Sequence, residues 1–202
     1  MRPAVAAGMT IAVIGNGNIG STLGRRWGEH GLDVIYGSRT EDSPGPDGAP
    51  MASIERAISG ADTVLLAIPG NAVAGLVDEH AAALDGKVII DATNHLAGAE
   101  FSGRAAIRAA APGAHYARAF NTLGWENFAT PPDDADLFYA ADEPARQRTE
   151  ELITAVGLRP AYVGDGEAAA TVDALLPLWF ALAKQRGTRL LALRIVDRQP
   201  AS

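Results

Sequence analysis

The segment Thr10-Ile11-Ala12-Val13-Ile14 is short, apolar and partly β-branched, and it runs without a break into Gly15-Asn16-Gly17-Asn18-Ile19-Gly20. An unbroken apolar run of this length reads as a strand buried on both faces, the habit of parallel sheets. From Ile19 the apolar positions Ile19, Leu23 and Trp27 recur at helical spacing until His30-Gly31 stops them, and Asp33-Val34-Ile35-Tyr36 begins a second strand. Strand, glycine turn, helix and returning strand form one βαβ unit. In such a unit the first glycine permits the tight turn, the second lets a pyrophosphate approach the backbone, and the third lets the helix pack close to the sheet. The helix N-terminus adds amide donors and a partial positive charge. The spacing therefore predicts a dinucleotide pyrophosphate held by Gly15, Asn16, Gly17, Asn18, Ile19 and Gly20.

The alternation continues along the chain. A short helix is expected around Ala52 to Ile58, and strands at Thr63–Ala67 and Lys87–Asp91 bracket a helix from about Ala72 to Ala83. A helix from about Gly103 to Ala111 then leads to a strand at His115–Ala119. Beyond Asn121, Leu137–Ala140 and Ala161–Val163 read as strands around a helix from Ala145 to Val156, extending the same sheet. Glu167 to Val196 reads as helical, with Pro177 threatening a kink. The expected architecture is α/β, a Rossmann-type doubly wound and mostly parallel sheet. Residues 1–122 would form the NADP(H)-binding domain, and residues 123–202 a small α/β extension or cap packed on the same domain, with a closing helix suited to dimerisation. The stretch Glu41 to Gly48, rich in Pro and Gly, predicts a mobile flap.

The 202 residues carry 24 acidic and 17 basic side chains, a net charge of −7, so no broad basic face exists to follow a nucleic-acid backbone. The absence of cysteine removes thiol nucleophiles, disulfides and thiolate metal sites, and the four histidines show no paired ligand spacing, so no metal site is expected. Apolar stretches such as Val64 to Ile68 and Leu175 to Ala183 fall short of the roughly 20 residues that span a bilayer. The first eight residues lack a secretory apolar core. The expectation is a cytoplasmic protein with a small-molecule partner, no nucleic acid and no membrane.

The end of the second strand, Val34-Ile35-Tyr36-Gly37-Ser38-Arg39-Thr40, carries no acid before Glu41. An acid there would bind a ribose 2′-hydroxyl and repel a 2′-phosphate, whereas Ser38 and Thr40 can donate hydrogen bonds and Arg39 can pair with the phosphate. NADP(H) is favoured. Ligands of such sheets sit beyond the carboxyl ends of the strands. There, Ala67-Ile68-Pro69 would form an apolar wall, and Asn94 with Ala119-Phe120-Asn121 would meet the nicotinamide end, Asn94 and Asn121 as orienters. Asp91 reads as a loop anchor and His95 and His115 as structural, with His95, next to the Asn94 loop, able to line the pocket as the alternative. No tyrosine is followed four residues later by lysine, and the two lysines, Lys87 and Lys184, read as solvated. No protein acid or base is assigned, because hydride transfer to a flavin-like ring is accelerated chiefly by positioning.

The glycine loop, Tyr36-Gly37-Ser38-Arg39-Thr40, Ala67-Ile68-Pro69, Ile90-Asp91-Ala92-Thr93-Asn94 and Ala117-Arg118-Ala119-Phe120-Asn121-Thr122-Leu123-Gly124 together resemble, in order, the NADPH-dependent coenzyme F420 oxidoreductase family. Leu178-Trp179-Phe180-Ala181-Leu182-Ala183 resembles the closing helix of its short bacterial members. The resemblance implies hydride exchange between NADPH and a deazaflavin (coenzyme F420) or flavin-like acceptor, and a homodimer. Reduction of free flavin, a quinone or a metal chelate is an alternative, as is a non-catalytic NADP(H)-sensing module.

Overall fold

The computed structural model describes residues 8–40, 45–98 and 100–198. The leading strand, β1 (Thr10–Ile14), is followed by α1 (Asn18–Glu29), β2 (Asp33–Ser38), β3 (Met51–Ser53), α2 (Ile54–Ser59) and β4 (Thr63–Leu66). Next come α3 (Val73–Glu79), α4 (Ala81–Leu84), β5 (Val88–Asp91), α5 (Arg104–Ala110), β6 (His115–Arg118) and α6 (Glu126–Ala129). The chain closes with β7 (Asp136–Ala141), α7 (Glu143–Val156), β8 (Arg159–Gly164), α8 (Ala169–Asp173) and α9 (Leu175–Arg186). All eight strands join one sheet in the order β3-β2-β1-β4-β5-β6-β7-β8. The pairings from β3 through to β6 are parallel, β6 and β7 run antiparallel, and β7 and β8 are parallel again. The sheet is doubly wound and Rossmann-type, and its order reverses between β1 and β4.

Apolar continuity in the central strands buries both faces because successive side chains point to opposite sides. Ile11, Val13, Leu65 and Ile90 face a core shared with Leu23, Trp27, Phe128 and Leu152, while Ala12, Ile14, Val64, Leu66 and Ile89 face Ile58, Val77, Leu84 and Ile107. Trp27 crosses from α1 to α7 by donating its indole N–H to the Leu152 carbonyl at 3.1 Å.

The structure departs from the expected elements in several places. Met51–Ser53 is a strand rather than the start of a helix, pairing with Tyr36–Ser38, and Ser53 then caps α2 by accepting the Arg56 amide. The helix expected from Ala72 to Ala83 is broken at His80 into α3 and α4. The C-terminal helix does not run to Val196. It stops at Gly187, whose φ of 64° lies in the left-handed region that glycine tolerates, and the tail beyond it bridges back to β7 through Leu193 and Asp136. Pro177 acts near the start of this helix: it has no N–H to offer the carbonyl four residues earlier, and the chain breaks at Ala174 between α8 and α9. By length and composition the helical run Gly166–Arg186 would reach across a bilayer, and a third of its apolar window is buried within the protein. Lys87 is half-buried rather than solvated and donates to the Ala61 carbonyl at 2.5 Å. Of the expected flap, Glu41 to Pro44 lie outside the described residues, and Pro46–Gly48 forms a single 3-10 turn.

Candidate dinucleotide site

The glycine loop sits where β1 ends and α1 begins, at the point where the sheet order reverses. Gly15 has φ 106°, a conformation that L side chains rarely adopt, and a Cβ there would meet the Ala67 carbonyl carbon at 2.8 Å and its oxygen closer still. A Cβ on Gly20 would strike the Gly15 carbonyl and approach Val13 Cγ1 at 3.2 Å, so this glycine lets α1 lie against the turn. Gly17 differs from both. Its φ of −71° and ψ of −175° suit any residue, and a Cβ would find nothing within 4 Å. The second glycine therefore faces open space at the N-cap of a 12-residue helix whose first turn contains no acid. Orphan N–H groups and the positive end of the helix dipole converge there, and no carboxylate competes for them. Ser21 Oγ donates to the Asn16 carbonyl at 2.7 Å and secures the turn.

At the end of β2, Ser38 Oγ accepts the Thr40 amide at 3.1 Å and lies 3.4 Å from Thr40 Oγ1. Arg39 is exposed and makes no ion pair among the described residues. On the other side of the loop, Ala67 and Ile68 are half-buried and Pro69 is exposed. Space between β4 and β5 is tight: a Cβ on Gly70 would meet His95 at 2.6 Å, so half-buried His95 packs against the β4 loop. Strand ends thus carry Ser38, Gly15, Ala67, Asn94 and Asn121 in sheet order, from the 2′-phosphate side to the nicotinamide side of the sequence reading.

Beyond β5 and β6 the chain builds a polar network. Asp91, with no exposure, accepts from the Thr93 amide (3.0 Å) and hydroxyl (2.6 Å), the Gly103 amide (2.7 Å) and Tyr116 Oη (3.1 Å). This makes it the loop anchor that its position suggests. Burial, and secondarily the charge of Asp91, raises the Tyr116 phenol well above its ordinary range. Arg118, also fully buried, donates to the carbonyls of Asp91 (3.1 Å) and Thr93 (2.6 Å), to Asn94 Oδ1 (3.0 Å) and to Asp173 (2.8 Å). Asn94 Nδ2 donates to the Asn121 carbonyl and Asn121 Nδ2 to Asp173, each at 2.9 Å. Burial lifts the Asp173 carboxyl above the usual aspartate range, with Arg118 pulling it down.

Asn94 and Asn121 are therefore brought together, whereas Phe120 is turned away. Its φ is 62°, uncommon for a bulky residue, and its fully buried ring packs edge-on against Trp27 and Phe128, each at 5.7 Å between centroids. Phe120 can therefore meet a ligand only through its backbone. Ala119 is equally buried. Sequence reasoning missed Arg118 and Asp173. The available signal was a charge inside each of two apolar runs, Tyr116–Phe120 and Ala168–Leu176, since a buried charge requires a partner.

The doubly wound sheet, its switch point and the open second glycine define a dinucleotide-binding protein of the Rossmann class. Residues 10–95 match the family described as NADP oxidoreductase, coenzyme F420-dependent, a match that supports an NADP-binding oxidoreductase. A solved structure from Arthrobacter sp. FB24, described provisionally as an F420-dependent NADP reductase, shares the fold with a TM-score of 0.80 at 23% identity, covering 94% of this chain and 100% of its own. A hypothetical protein from Sinorhizobium meliloti matches with a TM-score of 0.68 at 27% identity, over 94% of this chain and 96% of its own. An Aspergillus terreus reductive aminase, solved with NADPH and ethyl-5-oxohexanoate, matches with a TM-score of 0.62 at 20% identity, over 88% of this chain and 63% of its own.

Proposed function

We propose that the protein transfers a hydride between NADPH and a deazaflavin or flavin-like acceptor. The observation that carries this reading is the contrast among the loop glycines: Gly15 and Gly20 are closed in by the protein, and Gly17 is open at the helix N-terminus. A cradle of this form suits a pyrophosphate. Ser38, Arg39 and Thr40 would hold the 2′-phosphate, and the exposed guanidinium supplies the charge a 2′-phosphate needs in a chain of net charge −7. The nicotinamide end would lie against Ala67-Ile68-Pro69 and the Asn94 and Asn121 loops. Asn121 Oδ1 is buried with no donor among the described residues, which fits a carboxamide N–H, because Asn121 Nδ2 is already committed to the Asp173 carboxylate.

When bound, NADPH supplies the chemistry, a hydride from the nicotinamide ring. The chain's part is to hold the donor ring, exclude water from it and leave one face open to a planar acceptor. Lys87 precedes β5 and so lies at the amino end of that strand, and Lys184 is exposed on α9. An acceptor ring that needs no protein acid agrees with that arrangement. The reading extends to a cytoplasmic homodimer, and Leu178 and Phe180 on α9 are exposed apolar side chains.

The test is an acceptor panel. Purified protein and NADPH should bleach the visible absorbance of an oxidised deazaflavin. Turnover with free flavin, a quinone or a metal chelate instead would reassign the acceptor, and binding of NADPH with no turnover of any acceptor would identify a sensor.

A further inference from the structure

We infer that Arg118 and Asp173 are positioning residues for the nicotinamide end of the site, and that the C-terminal extension thereby sets the geometry of hydride transfer. The inference rests on the NADP(H) reading above. Four residues close a ring of hydrogen bonds, one link of it through the main-chain carbonyl of Asn121. Arg118 Nη2 donates to Asn94 Oδ1 (3.0 Å), Asn94 Nδ2 to the Asn121 carbonyl (2.9 Å), Asn121 Nδ2 to Asp173 Oδ1 (2.9 Å), and Arg118 Nε to the same Asp173 oxygen (2.8 Å). The ring joins the loop after β5, the loop after β6 and the last residue of α8, so two segments of the nucleotide fold are fixed by a carboxylate 55 residues beyond Arg118.

Charge balance alone does not explain Asp173. Asp91 already lies 3.2 Å from Arg118, fully buried beside it, and one carboxylate neutralises one guanidinium. The second carboxylate is shared with Asn121, and Arg118 spends its remaining donors on the Asp91 and Thr93 carbonyls and on Asn94. All of these contacts hold the loops at the strand ends where Asn94 and Asn121 would orient the nicotinamide. The planar guanidinium fork suits a site that must fix several acceptors at once, which lysine cannot reproduce. The Asn121 side-chain carbonyl is left unengaged by the ring, with its amide nitrogen pinned behind it.

The test compares wild type, Asp173→Asn and Asp173→Ser. Both substitutions leave Arg118 paired with buried Asp91, so neither strands a buried charge, and Asp173→Ser serves if Asp173→Asn does not fold. Two ligands are titrated, NADPH and 2′-phospho-ADP-ribose, which lacks the nicotinamide. Wild type should bind NADPH more tightly than the fragment. Both variants should bind the fragment as wild type does while losing that preference, and single-turnover hydride transfer at saturating NADPH should fall by roughly tenfold to a hundredfold, the scale of about 1 Å of misplacement. Variants that keep both the preference and the transfer rate, whatever their melting temperature, would reduce the ring to a structural tie and overturn the inference alone. A wild type that binds neither ligand would overturn the NADP(H) reading together with it.

Discussion

Replacing Gly17 with Ala separates the binding role of the loop from its folding role. The backbone at Gly17 is extended, at φ −71° and ψ −175°, so alanine adopts it without strain, and the new methyl meets no atom within 4 Å. Alanine is a poorer N-cap than glycine by up to about 1 kcal/mol, while the loss of unfolded-state freedom returns about 0.4–1 kcal/mol. The net change in stability should stay within about 1 kcal/mol. The methyl would, however, stand where the pyrophosphate approaches the backbone. Displacing one charge-assisted hydrogen bond costs about 2–3 kcal/mol, which is roughly a 30- to 150-fold loss of NADPH affinity. Gly20→Ala should behave in the opposite order. Its Cβ would lie 3.1 Å from the Gly15 carbonyl carbon and nearer its oxygen, an overpacking that costs about 1–3 kcal/mol or more of folding stability. Urea unfolding followed by circular dichroism, paired with NADPH titration, reads both effects. Wild-type NADPH affinity in Gly17→Ala would refute the placement of the pyrophosphate, and a stability loss equal to that of Gly20→Ala would refute the geometry of the loop.

Arg39→Ala should weaken NADPH binding by roughly tenfold to a hundredfold and NADH binding by less than about threefold, the loss shrinking as salt screens the exposed charge; equal losses for the two nucleotides would remove Arg39 from the 2′-phosphate site. Asp91→Ala strands four donors and leaves Arg118 with one fewer carboxylate, and it should lower the unfolding free energy by about 3–5 kcal/mol in urea titrations; a loss below about 1 kcal/mol would deny Asp91 its anchoring role. Burial holds the Asp173 carboxyl above its unfolded value of about 4. A carboxyl raised on folding contributes stability fully below the unfolded value and loses it as pH rises through the folded one. The stability advantage of wild type over Asp173→Asn should therefore shrink as pH climbs through that window, and an advantage that grows instead would mean that pairing with Arg118 outweighs burial.

The parts of the fold that could be read from the sequence were those encoded locally. The strand Thr10–Ile14, the glycine loop and the helix behind it occupy consecutive residues, and Gly15 and Gly20 each have a separate steric reason that the structure displays, while Gly17 is left open. Met51–Ser53 was not legible as a strand because three residues, one of them polar, carry no period, and their pairing with β2 depends on where the preceding loop delivers them. The break at His80 was hidden because the alanines and leucines around it satisfy a helical pattern on either side. The direction of the Phe120 ring was not legible, because its positive φ turns the ring into the core between Trp27 and Phe128. The Arg118 ring was beyond a local reading, since its closing carboxylate comes from a helix in the extension that sequence alone places only beside the domain.

Hydride transfer itself can be followed with NADPH deuterated at the transferring position of its nicotinamide ring, mixed with the protein and an oxidised deazaflavin under single-turnover conditions. Direct transfer between stacked rings predicts one deuterium on the ring carbon of the reduced acceptor, detected by mass spectrometry, with NADPH and acceptor consumed one for one. Oxidised NADP with the acceptor unlabelled and the deuterium released to solvent would contradict it.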